Sequence, residues 1–256
     1  MTDPIPAATV IIVRDQPNGY EVLMVERHAQ LAFAGGAAVF PGGRIDEDDH
    51  LIAASAPIGE ASAGLERLDA AARIAAMRES LEETGIAIGV DGLPLHRWAD
   101  WRAALHSGKP FSEMLMAEGL RLNLGSLTPF ARWLPPSRRL SRIFDTRFYI
   151  ARAPEDAPMP FLPDGRETTR IFWTRPQDML ESAGQGAAQI IFPTRRNLER
   201  LAVHADYAAL EAHARSITVR TIQPRTEEAE GRRWLVIPDD QGYPLTREPL
   251  DSAERE

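Results

Sequence analysis

The sequence predicts a mixed α/β fold, an α+β chain arranged as an α/β/α sandwich around a mixed sheet. Two apolar, β-branched runs stand on either side of "QPNG" (16–19), a strong turn signal, so residues 7–27 read as a hairpin. Residues 65–84 carry Ile74, Met77 and Leu81 at i, i+3 and i+7, one apolar helical stripe, and Gly85 follows where helices commonly end left-handed. Strand-like and helix-like segments then continue to the end of the chain, as layered folds require.

The elements follow in order. "AATVIIVRD" (7–15) and "YEVLMVER" (20–27) are the hairpin strands, 28–38 is a Gly/Ala-rich loop, and "AVF" (38–40) is a short strand stopped by Pro41. Residues 47–64 have no clear period and are expected to be an insertion loop with at most a helical turn. Residues 98–107 and 111–118 read as short helices, and 127–134, 144–152 and 168–174 as strands. Residues 176–183 form a helix with Pro176 in its first turn. Residues 193–215 are mostly helical, accessory helices suited to core packing, a lid or a homodimer surface, with core packing favoured. Residues 217–222 and 232–237 are expected to be a final strand pair, and 247–256 a frayed tail. One domain is expected to span 1–256.

Composition narrows the function. With 44% hydrophobic residues in 256, the chain can build a sizeable core. A net charge of −8 argues against a general binder of nucleic acid or anionic membrane. The absence of cysteine removes disulfides, thiolate metal sites and a cysteine nucleophile, and fits a cytoplasmic protein. The N-terminal residues lack a basic and apolar leader pattern, and no run reaches the ~18 apolar residues needed to cross a bilayer. The six histidines show no metal-ligand spacing.

Chemistry concentrates in "RESLEETG" (78–85). On an α-helix Glu79, Glu82 and Glu83, at i, i+3 and i+4, share one face, roughly opposite the apolar stripe. Like charges at that spacing cost about 0.2–0.5 kcal/mol per pair, and the helix C-terminus disfavours anions further. A hard divalent cation, Mg²⁺ or Mn²⁺, would relieve that repulsion. A solvated acidic face, with Arg78 pairing to Glu82, would also account for the three residues alone.

Together with "FPGG" (40–43), this segment resembles the Nudix signature: Gly, five residues, Glu, seven residues, then Arg-Glu-apolar-x-Glu-Glu-x-Gly-apolar. Gly43 matches the first Gly, and Arg78, Glu79, Glu82, Glu83, Gly85 and Ile86 match the second half in register. Counting back eight from Arg78 reaches Ala70 where the signature has Glu, with 26 residues instead of five between Gly43 and that position. The expectation is a box split by an insertion and lacking a supporting carboxylate, unless Asp46 or another acid of the insertion replaces it. The resemblance implies a metal held by Glu79, Glu82, Glu83 and the Gly42 carbonyl. It also implies Arg78 orienting the glutamates, and Glu79, Glu82 or Glu167 as general base.

The interrupted box, with "VERHAQLAFAGGAAVFPGGRID" and "PDGRETTRIFW", resembles the coenzyme A diphosphatase branch of that family. A coenzyme A pattern aligned on Phe40 implies Arg27, Gly36 and Phe40 as substrate-binding residues, while His28 and Ala32 depart from it. The resemblance implies cleavage of coenzyme A or an acyl derivative to 3′,5′-ADP and phosphopantetheine species. ADP-ribose or a nucleotide sugar is the alternative substrate, and a non-catalytic binding module the alternative class. The expected partner is a small diphosphate, with neither nucleic acid nor membrane.

Overall fold

The computed structural model describes residues 3–31, 34–55, 64–136, 143–155, 157, 163 and 167–250. Strand β1 (Ile5–Gln16) turns at Pro17 and Asn18 into β2 (Gly19–Arg27). After a loop come β3 (Ala38–Val39) and β4 (Gly42–Arg44), then α1 (Glu47–Ala54) and α2 (Arg67–Glu79). The last turn of α2 widens into a π-helical turn, Ser80–Thr84, closed by Gly85 at φ 76°. The middle of the chain holds β5 (Val90–Asp91), α3 (Trp98–His106), α4 (Phe111–Glu118), β6 (Arg121–Leu122), β7 (Thr128–Trp133), β8 (Phe144–Arg152) and β9 (Thr168–Thr174). Helices α5 (Pro176–Gly184), α6 (Phe192–Ala202) and α7 (Tyr207–Ser216) follow, then β10 (Thr221–Ile222), β11 (Arg225–Ala229), β12 (Arg232–Val236) and β13 (Arg247–Pro249).

Among the described residues the main sheet has eight strands, in the order β10-β7-β8-β1-β2-β3, with β4 on β1 and β9 on β2. β1 lies parallel to β8 along Ile5–Val13. Its other edge takes β4 at Ala7–Thr9 and β2 at Val13–Gln16, so β1 changes partner along its length. Both faces of β1 are covered, which is why its sequence reads as a continuous apolar run. Val10 and Ile12 face one core cluster with Ile74, Met77 and Leu81. Ile11 and Val13 face a second with Leu198, Leu201 and Leu210 of α6 and α7. Helices therefore cover both faces, as the α/β/α expectation required, and residues 193–215 serve core packing.

The structure departs from expectation at three places. Residues 47–54 form a helix despite lacking a hydrophobic period, because Asp49 and Ile52 alone are buried; residues 56–63 lie outside the described set. Residues 217–222 and 232–237 do not pair with each other. β10 lies parallel to β7 at Arg132 and Trp133, while β12 pairs with β11 across a turn at Glu230 and Gly231. The expected frayed tail begins with a strand, since β13 pairs with β12 and Leu250 is buried. Among the described residues no helix is long and apolar enough to cross a membrane.

Ile12 is fully buried between α2 and the sheet. Ile12→Ala is expected to lower unfolding free energy by about 2–5 kcal/mol, measured by urea titration.

Candidate active site

The site forms where β4 runs beside the C-terminal end of α2. Hydrogen bonds from Val10 N–H to Pro41 O (2.9 Å) and from Ile45 N–H to Pro6 O (3.0 Å) bracket the β1–β4 ladder. Thr9 and Gly42 face each other between them, at a non-hydrogen-bonded position. The Gly42 N–H and C=O therefore point away from β1. The N–H donates to Glu83 Oε2 at 3.0 Å.

Each glycine of the pair answers a separate contact. A Cβ on Gly42 would sit within 3.0 Å of the Ala8 carbonyl and Thr9 of the neighbouring strand. A Cβ on Gly43 would occupy the place of the Glu79 carboxylate. Glycine is needed here for close approach, with no unusual dihedral involved.

Arg78 organises the acids. Its Nε and Nη2 donate to Asp49 Oδ1 (3.1 Å) and Oδ2 (3.0 Å), its Nη1 to Glu79 Oε1 (2.9 Å) and Glu82 Oε2 (3.4 Å). Nη2 also reaches the Arg44 carbonyl at 3.1 Å. Burial works against the guanidinium charge, but Glu79, Asp49 and Asp46 outweigh it and keep Arg78 firmly cationic. Asp49 is fully buried, and the Asp46 N–H donates to its Oδ2 at 2.9 Å. Burial raises the Asp49 pKa, and Arg78 pulls it back.

Asp49 is one of the insertion acids left open as a replacement, not singled out by number although the signal is present. Passing over five residues after Gly43 reaches Asp49, which places an acid where the signature has Glu. Counting backward from Arg78 across the insertion had reached Ala70, which packs into the core at 5% exposure. The insertion falls after the first acid, between Asp49 and α2, and the supporting carboxylate is present as aspartate.

The glutamates are not a solvated face. Their side chains are 14% (Glu79), 32% (Glu82) and 10% (Glu83) exposed. Glu82, in the π-helical turn, is the most exposed of the three and keeps its contact with Arg78. Burial, with repulsion from Glu82, raises the Glu79 pKa to about 7, although Arg78 opposes it. Burial and then repulsion from Glu79 raise Glu83 to about 8, against the Gly42 N–H and Arg27.

The remaining expected residues divide. Arg27 Nη1 stands 4.0 Å from Glu83 Oε1, and the buried Arg27 Nε has no hydrogen-bond partner among the described residues. Glu167 is exposed, its carbonyl accepts the His28 N–H at 2.8 Å, and its charge adds to the upward push on Glu83. Gly36, at φ 79°, closes the loop after β2 by donating to the Arg27 carbonyl at 3.0 Å. It also lines a cavity of about 320 Å³ with Glu26, Arg170, Phe172 and Gln189. Phe40, 3% exposed, packs into the second core cluster, so its ring offers no surface to a substrate. Ala32 lies outside the described residues.

Among the described residues no three His, Asp or Glu side chains already form a metal cage. The donor chemistry nevertheless suits a hard cation: crowded carboxylates, a peptide carbonyl free of the ladder, and a glycine in place of any competing side chain.

Three outcomes are expected. Gly43→Ala displaces the Glu79 carboxylate and lowers kcat by about 100-fold with the fold retained, read by steady-state kinetics beside circular dichroism. Asp49→Asn leaves Arg78 short of its buried counter-charge and costs about 3–5 kcal/mol in a urea titration. The third concerns pH. The unfolded chain releases the Glu79 and Glu83 protons near 4.5, but the folded protein holds them to about 7 and 8. Folding therefore binds protons in that window, and metal-free stability falls as pH rises through it. The slope is at most about 1.4 kcal/mol per pH unit per group. Glu83→Gln flattens it; stability rising with pH across that window would contradict the assignment.

A solved Nudix hydrolase from Alicyclobacillus acidocaldarius is 30% identical with a TM-score of 0.71, covering 83% of this chain and 97% of that one. The acyl-coenzyme A diphosphatase NUDT19 of Gallus gallus is 25% identical over 214 residues, 64% of this chain and 56% of that protein. The protein of the same name from Xenopus laevis is 25% identical, covering 90% of this chain and 73% of its own length. The chain thus spans little more than half of the Gallus gallus protein's length. No family model matches it. The identity to the Alicyclobacillus hydrolase runs through nearly all of that molecule on a shared fold, and the chain belongs to the Nudix hydrolase family.

Proposed function

We propose that the chain hydrolyses a diphosphate joined to another moiety, with coenzyme A or an acyl-coenzyme A as the substrate and 3′,5′-ADP and (acyl-)phosphopantetheine as products. The observation that carries the reaction type is the buried, mutually repelling pair Glu79 and Glu83, set against a strand that admits only glycine. The substrate class rests on the likeness to two acyl-coenzyme A diphosphatases.

Glu79, Glu82, Glu83 and the Gly42 carbonyl are the oxygen donors that would hold Mg²⁺ or Mn²⁺. Bound there, the ion would neutralise charge on the bridging phosphates and acidify a water. Arg78 keeps Glu79 and Glu82 in place through its Nη1. Arg27, with its Nη1 4.0 Å from Glu83 Oε1, would bring a guanidinium to a substrate phosphate beside the glutamates. A base must take the proton of the attacking water; Glu79, Glu82 and Glu167 are the three candidates, separable by pH–rate profiles of their Gln variants. The case for a non-catalytic module rested on a missing acid, and Asp49 removes that support.

The test is incubation with Mg²⁺ or Mn²⁺ and, separately, coenzyme A, acetyl-coenzyme A, ADP-ribose, NADH and UDP-glucose, with chromatography of the products. Coenzyme A species are expected to yield 3′,5′-ADP, and Glu83→Gln to lose about 100-fold or more in rate. Cleavage of ADP-ribose or a sugar nucleotide alone would overturn the substrate class. No cleavage with either metal would overturn the reaction.

A further inference from the structure

A helix C-terminus leaves its last carbonyls without partners inside the helix, and a π-helical turn is a rare way to end one. At Ser80–Thr84 the carbonyls of Glu82 and Glu83 are taken by α3. Arg102, 9% exposed, donates from Nε to Glu82 O at 2.9 Å and from Nη2 to Glu83 O at 2.9 Å. His106, one turn further along α3, places Nε2 2.9 Å from the same Glu82 carbonyl, an acceptor to which the ring must donate. One planar fork thus grips two successive carbonyls and fixes the peptide plane between them. A lysine, with a single ammonium, cannot hold both in that geometry.

These are the backbones of two proposed metal ligands. Glu83 points to the Gly42 N–H and Glu82 to Arg78 Nη1. We propose that Arg102 is a positioning residue of the site: it holds the wide turn that keeps Glu83 beside Glu79 and directs Glu82 separately. The inference rests on the reading of these glutamates as cation ligands. It adds a part of the molecule that the signature does not reach, since Arg102 lies 17 positions beyond Gly85.

The experiment titrates Mn²⁺ into the substrate-free full chain, following free Mn²⁺ by electron paramagnetic resonance. It compares wild type, Arg102→Lys, Arg102→Met and Glu83→Gln, with thermal melts alongside. Wild type is expected to bind, Glu83→Gln to lose binding, and both Arg102 variants to bind about 10-fold or more weakly. An equal loss in the Lys variant marks geometry rather than charge as the cause. The Mn²⁺ concentration for half-maximal rate should rise in step, with KM unchanged at saturating metal. Should the Arg102 variants fail to fold, His106→Ala carries the test, with a loss of about threefold or more expected. Wild-type Mn²⁺ affinity in the folded variants, whatever their melting temperature, overturns the inference while the metal reading stands. Equal binding by wild type and Glu83→Gln overturns both.

Discussion

Arg78 is buried, charged, and shared among four elements. It takes Asp49 from α1, Glu79 from its own helix, Glu82 from the π-helical turn and the Arg44 carbonyl from β4. A guanidinium suits this because its donors lie fixed in one plane and face several acceptors at once. Left without its carboxylates it would be a buried cation, which is costly. The same geometry gathers three acids that would otherwise repel one another. The arrangement of the site and the placement of the insertion thus depend on one side chain.

That concentration of charge sets the tolerances around it. Glu79 fits only because Gly43 brings no Cβ, and Gly42 lets β4 lie close enough to β1 for its N–H to meet Glu83. The acids remain under strain in the electrostatic sense, held protonated above the usual carboxylate range by burial and by each other. A site of this kind stores unfavourable local interactions that a bound cation would relieve. The rest of the fold holds it: β1, covered on both faces, anchors β4 at one half of its length and the hairpin at the other.

The helix that opens onto the insertion belongs to the site. Extra residues in a loop cost little, because closure entropy grows slowly with length. Here the first eight residues after Asp46 make α1, which delivers Asp49 inward. On its other side Asp48 accepts from the Ser112 N–H at the start of α4 at 3.0 Å. The helix is therefore tied on two sides, to the acids through Arg78 and to α4 through Ser112, although its sequence shows no amphipathic period.

The amino-acid sequence by itself determined the layered fold, the hairpin, the helix over 65–84 and the second half of the signature. These are readable because each depends on residues close together in the chain: alternation or apolar runs in strands, i, i+3, i+7 spacing in helices, fixed offsets in a motif. The C-terminal pairing was not readable, since "ITVRTI" and "RRWLVI" are each good strands and only packing selects Trp133 as the neighbour of Ile222. Nor was the π-helical turn at Ser80–Thr84, because α and π turns share one sequence and α3 supplies the partners for the wider one. Asp49 and Phe40 make the same point from opposite sides. An acid that the backward count across the insertion passes over became the counter-ion of Arg78, and a residue within a motif turned its ring into the core. Tertiary structure decided these because burial and ion pairing join positions tens of residues apart, and no local pattern records which distant groups will meet.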